Sequence, residues 1–145
     1  MEEWQHLFWL LLGMVAFAFV MRRHARRNAS LHSESARELH SRKLAVAQSP
    51  EQAWEKLKRL PDEARLQIRE ETWAQGLLLE GQPGLMHGGY FFPVRIKADG
   101  ARASQITVGC RPRLPMQAWH LWSRREHVRA CAEIKRALDQ RHPRV

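Results

Sequence analysis

The sequence predicts an α+β protein, in which an N-terminal transmembrane helix precedes a small domain of about three helices packed on a short antiparallel sheet containing one hairpin. Three observations support this class: an uncharged apolar stretch near the N-terminus, alternating apolar residues in the middle of the chain, and helical spacing near its end. The predicted organisation is an anchor at 1–21, a basic juxtamembrane linker at 22–48, an α+β domain at 49–141 and a tail at 142–145.

The first element is an apolar stretch from Trp4 to Met21, whose 18 residues include no Asp, Glu, Lys or Arg. As a helix it is about 27 Å long, close to the ~30 Å of a hydrocarbon core. Trp4 and Trp9 suit the membrane interface, and Phe17 lies four positions after Gly13, so no small-residue pairing motif is present. We expect a plain anchor (span 4–21), rather than a cleaved signal peptide or a buried core helix.

The charges on either side of this stretch predict its orientation. Two acidic residues precede it and four arginines follow it: Glu2, Glu3, Arg22, Arg23, Arg26 and Arg27. The positive-inside rule places the arginines in the cytoplasm, where each also attracts anionic lipid headgroups by about 1 kcal/mol. Compactness and arginine content suggest a bacterium. We therefore expect a single-pass inner-membrane protein with its N-terminus outside and its domain in the cytoplasm.

The cysteine content excludes a disulfide-stabilised protein, and the charge distribution indicates the kind of partner. The two cysteines, Cys110 and Cys131, cannot form a disulfide framework. The formal net charge is +9, and the basic residues are concentrated in 22–48, with seven basic and two acidic residues, and in 91–145, with twelve and four. Such an excess favours an anionic partner.

The next segments predict a linker and two helices. Residues 22–48 show no clean hydrophobic period, which indicates a linker that is helical in part. The run Ser49-Pro50-Glu51-Gln52 combines a capping box with proline at the first helical position, and the helix should reach Leu60. A second helix should run from Asp62 to Gly76, since glycine commonly ends a helix.

Strands are expected next. Leu77-Leu78-Leu79 predicts a short strand, and after Gly88-Gly89 the apolar residues alternate on both sides of Asp99-Gly100, which predicts a hairpin with one buried and one basic face. A three-residue loop of Ala98, Asp99 and Gly100 would pair Phe92 with Ile106.

A long helix is expected from Met116 to about Gln140. Its apolar residues share one arc: Met116, Trp119, Ala130, Ile134, Ala137 and Leu138.

Two groups of side chains suggest chemistry. His120, His127 and Cys131 share a helix face and, with Cys110, could bind a metal, but they fall inside the apolar arc and no CxxC or HxxxH motif accompanies them. We expect core positions, and no cofactor or metal is predicted. His87 precedes Gly88-Gly89, yet no nucleophile motif is present.

The basic residues of the hairpin and the last helix are the strongest functional lead. Arg95, Lys97, Arg102 and Arg111 are expected on the exposed hairpin face. The candidate partner-binding residues are Arg95, Lys97, Arg102, Arg111, Trp122, Arg125, Arg129 and Arg136. The expected function is a non-enzymatic interaction or assembly protein that binds a partner protein of a membrane-associated complex. The alternatives are a membrane tether that binds nucleic acid through its arginines, and a small enzyme that uses His87 or His120.

Overall fold

The computed structural model of the chain describes residues 2–33, 37–60, 65–83, 88–114 and 120–140. Their helices and strands are α1 (Glu2–Asn28), β1 (His40–Val46), α2 (Pro50–Leu57), β2 (Leu66–Thr72), β3 (Gly76–Gly81), β4 (Tyr90–Ala98), β5 (Ser104–Pro112) and α3 (His120–Asp139). An apolar N-terminal helix followed by helices and an antiparallel sheet confirms the α+β class.

The five strands form one antiparallel sheet in the order β1-β5-β4-β3-β2. Alternate residues point to opposite faces of such a sheet. One face, here called the helix face, packs against α2 and α3, and its main core includes Leu79, Phe92, Val94, Val108 and Ile134. The opposite face, here called the outer face, contains a smaller buried cluster.

The α1 helix is the only described element long and apolar enough to cross a membrane. Its side chains from Trp4 to Val20 are exposed, so it is not a core helix of the domain. It continues beyond Met21 as far as Asn28, which places the four arginines on the same continuous helix.

The predicted capping box of α2 is present. The Ser49 hydroxyl accepts from the Gln52 backbone N–H at 3.3 Å, and the Gln52 side chain accepts from the Ser49 N–H at 3.2 Å. These bonds satisfy two backbone donors that would otherwise be unpaired, and they orient Ala53, Trp54 and Leu57 toward the core.

Two local predictions are wrong. The segment treated as a linker contributes β1, which pairs with β5 from His40↔Cys110 to Val46↔Ser104. The second predicted helix is instead the edge strand β2, paired with β3, and its residues alternate between more and less buried. These polar segments form strands because they pair with strands distant in the chain, which overrides their local propensity. Such pairing cannot be recognised from the local sequence alone.

The hairpin is confirmed, but its predicted register is wrong. Ile96, and not Phe92, lies opposite Ile106. The connection is longer than expected: residues 99–103 separate the strands, the Asp99 N–H donates to the Ala103 carbonyl at 2.9 Å, and Gly100 adopts a positive φ of 99°. A shift of four residues leaves every side chain on its predicted face, so the hydrophobic pattern alone did not distinguish the two registers.

The last helix is also confirmed, with Ala130, Ile134 and Leu138 buried as predicted. Met116 and Trp119 lie outside the described residues. Trp73, by contrast, is 64% exposed in the turn between β2 and β3.

Candidate functional site

The structure separates the eight candidate partner-binding residues into different places. Arg95, Lys97 and Arg111 lie on the outer face, and Arg102 lies in the hairpin turn. The other four belong to α3, which packs on the helix face: Trp122, Arg125, Arg129 and Arg136. They therefore do not form one continuous basic surface.

Arg111 is fully buried, so its predicted position on an exposed face is wrong. Its Nη1 donates to the Ser30 carbonyl at 2.6 Å, and its Nη2 lies 3.4 Å from Glu38 Oε1. Burial lowers the pKa of Arg111, and the carboxylate of Glu38 opposes that shift. The residues that cover Arg111 come from the segment that was predicted to be a linker.

Glu38 joins two arginines on the outer face. Its Oε1 also accepts from Arg95 Nη2 at 2.6 Å. The carboxylate lies directly against the backbone of Gly109, where an added Cβ would lie 2.6 Å from Glu38 Cδ and 2.9 Å from Pro93 Cγ. Glycine at this position in β5 is what allows the carboxylate to approach the sheet so closely.

Three further contacts attach the end of α1 to the sheet. Asn28 Nδ2 donates to the Pro112 carbonyl at 2.7 Å, and the Leu31 N–H donates to Glu70 Oε2 at 2.9 Å. Leu31 is buried in the small outer-face cluster with Leu78 and Phe91: this is an apolar contact between the segment after α1 and the middle of the sheet.

A β-bulge makes the bond to Glu70 possible. The register of β2 against β3 shifts between Ile68 and Glu70. One extra residue reverses the direction of the following side chains, so Ile68 faces the main core while Glu70 faces outward.

We call the set Asn28, Ser30, Leu31, Glu38, Glu70 and Arg111 the anchor–domain junction.

Part of the remaining positive charge on the outer face is offset by a second glutamate. Glu80 accepts from Arg69 Nε at 2.7 Å and from Arg113 Nη1 at 3.1 Å. Since Arg95 and Arg111 share Glu38, four arginines of this face pair with two glutamates, which offset half of their charge. Lys43 and Lys97 remain exposed there.

The solvent-exposed side of α3 differs from the outer face of the sheet in its ion pairs and its exposed apolar side chains. We call its exposed residues between Leu121 and Arg136 the α3 outer surface, and they are Leu121, Arg124, Arg125, Val128, Arg129, Ala132, Lys135 and Arg136. Arg136 lies 3.7 Å from Glu133, and no ion pair involves Arg125 or Arg129 within the described part of the chain. Trp122 is half-buried and packs against the main core, so much of its ring is not available to a partner.

Of the predicted cluster, His127 and Cys131 lie on the buried side of α3, and Cys110 lies on β5 beneath it. His127 Nε2 lies 2.9 Å from the Val108 carbonyl, which can only accept, so Nε2 carries the proton and is not free to bind a metal. His40 stacks on His127 at 5.7 Å and bonds to Ser123 Oγ at 2.9 Å. The described residues contain no group of three His, Cys, Asp or Glu side chains placed to hold a metal.

The remaining candidates for chemistry have no described geometry. His87 and the side chain of His120 lie outside the described residues.

Comparison with known proteins indicates no activity, because no protein-family model matches the chain and no curated protein matches it significantly.

The residues of the predicted membrane span lie along a free-standing helix. Trp4 and Trp9 are exposed, and Met21 is half-buried. No atom approaches within 4 Å of a Cβ built on Gly13. Arg22, Arg23, Arg26 and Arg27 are exposed on the last two turns of α1. Aromatic residues near one end of an apolar helix and arginines at the other are typical of a membrane anchor.

We predict that Glu38→Gln destabilises the domain by about 1–3 kcal/mol. Removing one partner of a buried ion pair costs about 3–5 kcal/mol, and the 19% exposure of Glu38 reduces this. Urea unfolding of the detergent-solubilised chain measures the loss. Glu133→Gln is the matched control, since its partner Arg136 is 72% exposed and such pairs contribute at most about 1 kcal/mol. Equal losses in both variants would contradict the assigned role of Glu38.

A second prediction concerns alkaline pH. Burial raises the pKa of the Cys110 thiol from 9.0 to about 12 and that of the Tyr90 phenol from 10.0 to about 12. The folded chain keeps these protons where the unfolded chain has lost them, so the free energy of unfolding should fall as the pH rises from 9 toward 12. Urea unfolding across this range checks the slope. Cys110→Ala should show a shallower fall, and an identical slope would contradict the assignment to Cys110.

Proposed function

We propose that the chain is a single-pass protein of a bacterial inner membrane, anchored by α1, with its N-terminus outside and its domain in the cytoplasm. The exposed apolar surface of α1 supports the anchor, because such a surface is stable only when lipid or protein covers it. The four exposed arginines beyond Met21 support the orientation. Two buried, unpaired cysteines are consistent with a reducing compartment.

We further propose that the domain is a non-enzymatic interaction module that binds an acidic surface of a partner protein in a membrane-associated complex. The α3 outer surface carries this proposal, because it combines exposed arginines with exposed apolar side chains. Val128 is 54% exposed between Arg125 and Arg129. Arginine with apolar neighbours is favoured at protein interfaces, where the guanidinium forms forked contacts with carboxylates.

A protein partner explains this surface better than nucleic acid does. Proteins that bind single strands stack bases on aromatic side chains placed among the basic residues. The described residues of the α3 outer surface include no aromatic side chain, and the neighbouring Trp122 packs against the main core. Among the described tryptophans of the domain, Trp73 is the exposed one, and it lies in the β2–β3 turn.

The orientation predicts the behaviour of fusion reporters. A fluorescent protein fused to the C-terminus should fold and fluoresce, whereas alkaline phosphatase fused there should be inactive, because it needs the oxidising periplasm. The reverse result would show that the domain lies outside the cytoplasm. Release of the chain from membranes by alkaline carbonate would show that α1 is not an integral anchor.

The partner surface predicts the outcome of photo-crosslinking in native membranes. A photoreactive residue at Val128 should form a nuclease-resistant crosslink to protein, and Arg125→Glu with Arg129→Glu should reduce its yield several-fold. Lys43→Glu with Lys97→Glu is the matched control, because it makes the same change in net charge on the opposite face of the sheet. An equal loss in both double variants would indicate a general electrostatic effect. Crosslinks lost on nuclease treatment would favour the nucleic-acid alternative.

A further inference from the structure

The first turns of α3 expose an apolar side chain beside two arginines. Leu121 is 85% exposed, more than the other large apolar side chains of the described part of the domain, such as Trp73 at 64% and Val128 at 54%. Arg124 and Arg125 follow it on the exposed side of the helix, while Ser123 points inward and is buried. We call Leu121, Arg124 and Arg125 the α3 tip.

The α3 tip lies at the end of the sheet where α1 is attached. Ser123 contacts His40 and Cys110, at the start of β1 and near the end of β5. Pro112, two residues beyond Cys110, receives the hydrogen bond from Asn28 of α1. The other end of α3 is remote from this point, since the Leu138 carbonyl accepts from Gln48, just beyond the opposite end of β1.

The length of α1 beyond the apolar span sets the distance of this end from the membrane. Asn28 lies seven residues after Met21, which is about 10 Å along a helix. The headgroup layer on each side of a bilayer is roughly 5–8 Å thick. If the hydrocarbon boundary is at Met21, Asn28 lies just outside the headgroup layer. Side chains of the domain at the same height above the membrane can then reach the headgroups.

The anchor–domain junction keeps this end of the domain toward the membrane. Arg111, Leu31 and Asn28 attach the segment after α1 to the outer face by hydrogen bonds and apolar contact. A domain on a flexible linker would present all its sides to the bilayer, whereas this domain is held in one orientation.

We propose that the α3 tip is a second membrane contact, which inserts Leu121 among the headgroups of an anionic leaflet while Arg124 binds a lipid phosphate. This proposal rests on α1 spanning the membrane, as proposed above. An apolar side chain flanked by cations is the composition of surfaces that bind anionic membranes. The arginines at the end of α1 attract the same lipids, so the two contacts would act together.

The test uses the full chain reconstituted into phosphatidylcholine nanodiscs with and without phosphatidylglycerol. An environment-sensitive fluorophore is attached at Leu121→Cys or, as the matched control, at Val128→Cys, which is two turns further along the same exposed surface. Cys110 and Cys131 are buried and should not be labelled in the folded chain. Headgroup spin-labelled lipid should quench the fluorophore at position 121 several-fold more than at 128 in anionic discs.

Arg124→Glu and added salt should each reduce the quenching at position 121, because both weaken attraction to phosphate. Equal quenching at the two positions, or quenching independent of phosphatidylglycerol, would overturn the lipid contact while leaving the anchor intact. A change at position 121 that appears only when a partner protein is added would also overturn it. Extraction of the reconstituted chain by carbonate would overturn the anchor, and the lipid contact with it.

Discussion

The ion pair between Arg111 and Glu38 is the interaction on which the arrangement of this protein depends. A buried guanidinium is strongly destabilising unless its charge is balanced and donors of its own are paired. Here the balance comes from Glu38, and Nη1 donates to the Ser30 carbonyl, both in the segment that follows α1, whereas Nε has no hydrogen-bond partner among the described residues. The sheet therefore cannot bury Arg111 without also binding this segment. One side chain of β5 thus couples folding of the domain to attachment of the anchor.

This coupling bears on the proposed role of α1 as a membrane anchor. A flexible tether would raise only the local concentration of the domain at the membrane. A packed junction also selects an orientation, because Leu31 and Asn28 contact different strands of the sheet. α3 packs against the same sheet, so its direction relative to α1 is fixed as well. The arginines of α3 therefore project from a helix of defined direction. This helix begins near the end of the sheet where α1 is attached and runs away from it.

The features predicted correctly from the sequence are those specified by neighbouring residues. The apolar span, the capping box at Ser49 and the alternation in β4 and β5 each need only a short window of sequence. The misread features depend on contacts distant in the chain. β1 is identified by its pairing with β5, and Arg111 is buried because Glu38 and Ser30 cover it. Trp73 lies within the predicted second helix, but the strand β2 ends before it and leaves it exposed in a turn.

The distribution of ion pairs matters more for recognition than the net charge does. A formal charge of +9 suggests a uniformly basic molecule, yet the arginines of the outer face share Glu38 and Glu80, which offset half of their charge. Exposed arginines are concentrated at the end of α1 and along α3, and Lys43 and Lys97 are exposed on the outer face. α1 is attached to the outer face through the anchor–domain junction, and α3 packs on the opposite face of the same sheet. An anionic partner, whether a lipid leaflet or an acidic protein, would therefore meet two arginine-bearing surfaces in a constant relative position, which makes recognition depend on geometry as well as on charge.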